Sequence, residues 1–191
     1  MYAGLLNADR GLSILYETAR QVHEQHPEAE FHVYGPVEWQ GIDATTRALG
    51  EDDWATVGVR FRGSVPFDEV GPALAGGMVG WLPRSPDEPN NLLAWPNKLV
   101  EYMAAGLAIV ASDLPLQARV VGESESGIVV EAMSPGGHAA AICHLLEDAE
   151  ARSRLGTNGK TAARTRYTWE TEALKLRTLY AELGEAKPLI R

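Results

Sequence analysis

The sequence predicts an α/β fold, a Rossmann-like parallel sheet with helices on both faces. Three observations predict it. Strand-like and helix-like segments alternate along the chain, the pattern of successive βαβ units. The runs Met78–Leu82 and Ala108–Ala111 are apolar throughout, as strands covered on both faces are. A length of 191 residues, with no internal repeat, low-complexity tract or interdomain linker, fits one domain over residues 1–191.

The elements follow in order. Tyr2–Leu6 reads as the first strand. Gly11–His26 reads as an amphipathic helix with Leu12, Leu15, Ala19 and Val22 as its stripe. Phe31–Tyr34 is the second strand, ended by Gly35 and Pro36. Residues 37–56 are polar, with a short helix expected at Ala44–Leu49. Val57, Val59 and Phe61 alternate and predict a strand over Val57–Arg62. Asp68–Ala75 predicts a short helix despite Gly71 and Pro72, and Met78–Leu82 a buried strand. Arg84–Pro96 is rich in Pro, Asn and Asp and reads as a loop long enough to suspect function.

Pro96 suits a helix start and Asn97 can cap it. Leu99, Val100, Met103 and Ala104 share one face of that helix, Gly106 ends it, and Ala108–Ala111 is the next strand. A helix near Gln117–Val121, a strand at Gly127–Val130 and a helix at Pro135–Glu147 come next. Residues 148–166 read as helical with an interruption near Gly156–Gly159. Glu170–Leu183 is the last helix.

Composition removes several functions. A net charge of −9 argues against a nucleic-acid partner and disfavours this piece as the one that meets an anionic membrane. Cys143 is the only cysteine, which excludes an internal disulfide and a cysteine-based zinc site; its helical setting predicts a small buried hydrophobe. His23, His26, His32, His138 and His144 have no metal-ligand spacing, no Asp-x-Asp occurs, and no metal is expected. His23 and His26 are expected at the surface. No signal peptide or transmembrane run is present, which suits the cytoplasm. Gly156–Thr161 has only two residues between its glycines, so it is no P-loop. No nucleophile and base pair suggests a hydrolase. The chain starts almost directly with a strand, which suits one half of a longer protein.

Residues 96–113 carry the most chemistry. A helix N-terminus with free backbone N–H groups attracts phosphate. Glu101, one turn further in, can accept hydrogen bonds from the two hydroxyls of a ribose, so the segment suits a sugar nucleotide. The residues alone also allow a solvated Glu101 paired with Lys98, three positions away, and an exposed Lys98. Asn97 reads as a cap before it reads as a ligand. Gly4 lies near the carboxyl end of the first strand, where open α/β sheets bind ligands; the other reading is a turn glycine. Arg10 sits at a helix N-terminus, unfavourable for a cation unless it meets an anion. Val65 reads equally as plain packing.

Asn97-Lys-Leu-Val-Glu-Tyr-Met-Ala-Ala-Gly106 followed by an apolar strand resembles the C-terminal, donor-binding half of the retaining GT-B glycosyltransferases of group 1, or family 4. Tyr2–Gly11 resembles that family's first strand and phosphate loop, Gly127–Val130 its late strand, and Tyr167-Thr-Trp169 with the following helix its C-terminal closure. The resemblance implies a nucleoside-diphosphate sugar donor, UDP- or GDP-linked, with no cofactor and no metal. It implies ribose contact by Glu101, diphosphate contact by Gly4, Arg10, Asn97 and Lys98, and nucleobase contact by the backbone at Val65. Arg10, Lys98 and Glu101 are the residues it assigns to catalysis.

Two departures stand out. Arg10 matches the second of two family cations, and Leu5 occupies the place of the first. The family's first glutamate, separated by seven residues from the second, falls on Leu93. The resemblance also implies a missing N-terminal acceptor domain, without which the chain turns over slowly or not at all. It implies a last helix that crosses back towards that half, leaving Trp169, Leu174, Leu176, Leu179, Tyr180 and Leu183 partly exposed; the other reading packs that helix wholly on the sheet. A non-catalytic sugar-nucleotide-binding subunit and a sugar-nucleotide epimerase of the same fold are the alternatives.

Overall fold

The computed structural model describes residues 1–95 and 97–185. Pro96, assigned above to a helix start, lies outside them. Six strands carry the sheet: β1 (Tyr2–Ala3), β2 (Phe31–Tyr34), β3 (Val59–Gly63), β4 (Val79–Leu82), β5 (Ala108–Ser112) and β6 (Gly127–Val130). The helices are α1 (Leu12–Gln25), α2 (Ala44–Arg47), α3 (Glu51–Thr56), α4 (Phe67–Ala75), α5 (Pro89–Leu93), α6 (Asn97–Ala105), α7 (Pro115–Ser124), α8 (Pro135–Glu147), α9 (Ala149–Thr165) and α10 (Trp169–Glu185).

Every ladder is parallel, in two three-stranded sheets of order β1-β2-β3 and β4-β5-β6. Met1 joins them. Its amine nitrogen donates to Val79 O at 2.8 Å, and its carbonyl accepts from Trp81 N–H at 3.0 Å. The strands therefore lie in the order 3-2-1-4-5-6, which reverses direction of winding between β1 and β4. Such a switch point opens a crevice beyond the carboxyl ends of the two strands, the place where doubly wound sheets bind ligands.

Both faces are covered, as the continuous apolar runs predict. Along β5, Ala108 and Val110 pack into a cluster with Leu12, Leu15 and Val22 of α1 and Leu145 of α8. Ile109 and Ala111 pack into the opposite cluster, with Leu74 of α4, Leu99 and Met103 of α6 and Val121 of α7. Cys143 is buried in the first cluster, as expected of a small hydrophobe. His138 of α8 is fully buried there too, its Nδ1 accepting from Trp81 Nε1 at 3.2 Å. Burial lowers its pKa to about 4, so the ring is neutral at pH 7.

Five local expectations change. The first strand stops at Ala3, because Gly4 turns to φ +108°; beyond it only an isolated bridge joins Leu6 to Val37. Residues 37–56 hold a second helix, α3, whose start is fixed by Gly50 N–H donating to Asp53 Oδ2 at 2.8 Å. The loop after β4 contains the short helix α5. His23 and His26 are half-buried rather than on the surface, and His26 reaches Glu28 and Glu147. Finally, α9 runs unbroken through Gly156 and Gly159. These glycines let α9 approach closely: a Cβ at Gly156 would stand 2.2 Å from Gly106 O, and one at Gly159 3.4 Å from Met103 Cγ.

Candidate functional site

The switch-point crevice is built from the ends of β1 and β4 and the start of α6. Tyr2, the first residue of β1, is buried and sends its hydroxyl to Leu5 O at 2.6 Å. The chain then turns at Gly4, where the left-handed backbone suits glycine and leaves room for a neighbour. That neighbour is Lys98. A Cβ at Gly4 would lie 2.6 Å from Lys98 Cε. Lys98 Nζ donates to Tyr2 Oη at 2.6 Å and to Leu5 O at 3.3 Å, and it stands 4.0 Å from the centre of the Tyr2 ring. Tyr102, one turn further along α6, accepts Ala3 N–H at 2.9 Å and locks the helix against β1. Burial raises the pKa of both tyrosines, so they stay protonated phenols.

The β4 side supplies a cation that sequence reading missed. Arg84 lies two residues past the end of β4. Its backbone N–H donates to the buried Ser112 Oγ at 2.8 Å, and its Nη1 donates to Asn91 Oδ1 at 2.7 Å. Asn91 is itself buried and donates from Nδ2 to Ser85 O at 3.0 Å. Ser85 N–H donates to Asp9 O at 2.8 Å, tying this loop to the single 3₁₀ turn, Ala8–Arg10, that carries Arg10.

Arg10, Arg84 and Lys98 thus lie near enough to feel one another's charge. Among the described residues none of the three has a carboxylate within ion-pair distance. Lys98 pays for this: burial first, then Arg84 and Arg10, bring its pKa down to about 7, with Glu101 opposing. Burial and Arg10 lower that of Arg84. Like charges held together without a counter-charge are the arrangement that an anionic ligand completes.

The remaining sequence-selected residues lie around this cluster. Glu101 is not ion-paired with Lys98, the alternative that their spacing allowed; Lys98 points to the end of β1 instead. Glu101 lines an open groove of about 630 Å³ between α4 and α6, together with Phe67, Val70, Leu74 and Lys160. Phe67 is 88% exposed on the groove's lip. Val65, two residues earlier, is half-buried and does not line the groove. Asn97 is exposed at the first position of α6. Leu5 contributes its carbonyl to the site, and Leu93 is 83% exposed at the end of α5. The described residues contain no His, Cys, Asp and Glu grouping fit for a metal ion, and no helix long and apolar enough to cross a membrane.

The chain is 26% identical over 182 residues to the D-inositol 3-phosphate glycosyltransferase of Corynebacterium glutamicum, covering 94% of this chain and 42% of that protein. It is 30% identical over 171 residues to the phosphatidyl-myo-inositol mannosyltransferase of Mycobacterium leprae, covering 90% of this chain and 42% of that protein. The chain therefore spans about two fifths of the length of these relatives. Among solved structures, HepE of Anabaena in complex with UDP superposes with a TM-score of 0.75 at 14% identity, over 95% of this chain and 48% of that one. That likeness shows the fold. The sequence profile of the glycosyl transferases group 1 matches residues 1–148, and the chain belongs to that family.

Proposed function

We propose that this domain binds a nucleoside-diphosphate sugar, UDP- or GDP-linked, as the donor half of a retaining glycosyltransferase. The observation that carries the reading is the convergence of Arg10, Arg84 and Lys98, without a carboxylate partner, on the crevice between β1 and β4. The diphosphate lies against these cations and the first turn of α6, beside the Lys98 side chain that Gly4 admits. Glu101 holds the ribose hydroxyls, and the base extends towards Val65 and the groove lined by Phe67.

In the transfer, the bond between the anomeric carbon and the β-phosphate oxygen breaks, and its electron pair stays on the phosphate. The sugar joins an acceptor oxygen, which gives up its proton to the departing phosphate oxygen. Negative charge grows on the leaving diphosphate, and the cations stabilise it there. This reading needs no divalent ion, because the protein's own charges serve that purpose. Acceptor binding belongs to an N-terminal half outside this chain, in keeping with the share of its relatives that the chain spans. By itself the chain binds donor and transfers little.

A thermal-shift and calorimetry panel of UDP, GDP, ADP and their sugars tests the reading. One nucleoside diphosphate is expected to stabilise and bind the chain. Glu101→Ala is expected to weaken it by tens- to hundreds-fold, the loss of two charge-assisted hydrogen bonds, and to leave inorganic pyrophosphate binding nearly unchanged. No shift and no heat with the whole panel would overturn the reading.

A further inference from the structure

Resting on the reading of the crevice as a diphosphate site, we infer that Arg84 is a diphosphate-binding residue and that Asn91 is its positioning residue. The geometry carries this. Arg84 is delivered to the carboxyl end of β4, one strand over from Gly4, by a backbone hydrogen bond to the fully buried Ser112. Its guanidinium uses one arm, Nη1, on Asn91 Oδ1 at 2.7 Å. The remaining N–H groups have no protein acceptor among the described hydrogen bonds of that side chain.

A guanidinium offers five donors in a planar fork that matches phosphate oxygens in pairs. Fixing one arm leaves the others presented in a fixed plane. The fixing group is well chosen, because Asn91 is neutral. A carboxylate there would neutralise the charge meant for the ligand; an amide oxygen orients it without competing. Asn91 is fixed in turn. It is 7% exposed, and its amide donates to Ser85 O, while Ser85 Oγ accepts Asp87 N–H at 3.1 Å. Short helix α5 thus carries Asn91 to Arg84. The Ser85–Asp9 backbone bond sets the spacing between Arg84 and the Arg10 turn.

Calorimetric titration with the nucleoside diphosphate the chain prefers, with its nucleoside and with inorganic pyrophosphate distinguishes the outcomes. Arg84→Ala is expected to weaken nucleoside diphosphate and pyrophosphate roughly 10- to 100-fold and to leave the nucleoside unchanged. Arg84→Gln keeps a polar stem at this position and is expected to lose nearly as much, because the charge and the planar fork are gone. Asn91→Ala is expected to lose about 3- to 10-fold for both diphosphates. That loss disappears when Asn91→Ala is made in the Arg84→Ala chain, the coupling expected of a residue acting through another.

Wild-type pyrophosphate affinity in Arg84→Ala and Arg84→Gln would overturn the inference while the donor site stands. An Asn91→Ala loss that persists without Arg84 would overturn the positioning role. A wild-type chain that binds no diphosphate at all would remove the functional reading itself, and this inference with it.

Discussion

Lys98 is the residue whose environment makes the sharpest demand. Its ammonium is held at a pKa of about 7, against an ordinary 10.5, chiefly by burial and then by Arg84 and Arg10. The folded, ligand-free chain therefore binds fewer protons than the unfolded chain between about pH 7 and 10.5. Its stability is expected to rise with pH across that window and to lose this rise in Lys98→Met. A bound diphosphate reverses the effect by supplying negative charge, so binding at pH 8 takes up a proton and affinity falls as pH climbs above 7. Titrations in two buffers of different ionisation enthalpy measure the uptake directly. Equal heats after buffer correction for wild type and Lys98→Met would refute this role for the ammonium. The sequence made Lys98 legible because it begins a helix, and Gly4 because it ends a strand. Arg84 was not legible as a side chain. The role proposed for it rests on β1 lying beside β4, a juxtaposition of residues some eighty apart that no local pattern records.

Elements were more readable than their limits. Apolar runs marked β4 and β5, and the stripe of Leu12, Leu15, Ala19 and Val22 marked α1; all are buried except Met78, which heads the first run, precedes β4 and is 57% exposed. Two of the misses come from glycine, whose meaning depends on what stands opposite. In α9 it suggested a break, yet Gly156 and Gly159 are where the helix closes on α6 and the start of β5. Two effects oppose each other in Gly156→Ala. Alanine improves helix propensity by about 1 kcal/mol. Its Cβ, however, would meet Gly106 O at 2.2 Å, backbone that the sheet holds in place. Overpacking of this kind costs about 1–3 kcal/mol, so the clash wins and the melting temperature is expected to fall. Gly122→Ala in α7 is the control, because a Cβ there meets nothing within 4 Å. It is expected to be neutral or stabilising by up to about 1 kcal/mol. Should Gly156→Ala also stabilise, the close crossing would not be what the glycine is for.

At the scale of the whole molecule, α10 is the element that this chain does not use. Trp169 is 71% exposed and Leu174 63%, and Leu176, Leu179, Tyr180 and Leu183 are exposed as well. Leu176, Leu179, Tyr180 and Leu183 follow the i, i+3, i+4, i+7 spacing of one helix face, and Trp169 continues the stripe a heptad earlier. A helix with such a face gains little from water, and a contiguous apolar patch marks a contact surface. The resemblance in sequence implied this exposure, and the share of its relatives that the chain spans suggests the occupant we propose, a second domain of the kind those relatives have room for. Because the face is exposed, Leu176→Lys with Leu179→Lys is expected to change the stability of this chain by no more than about 0.5 kcal/mol per site. In a protein carrying both halves the same pair is expected to lower the melting temperature and to loosen the halves. Trp169 reports the contact: the difference spectrum between wild type and Trp169→Phe isolates its emission from the other four tryptophans. That emission is expected to be red and readily quenched by acrylamide in this chain, and blue-shifted and protected in the two-half protein. Large destabilisation of the single chain by the lysines, or Trp169 emission indifferent to the second half, would return α10 to this domain's own packing.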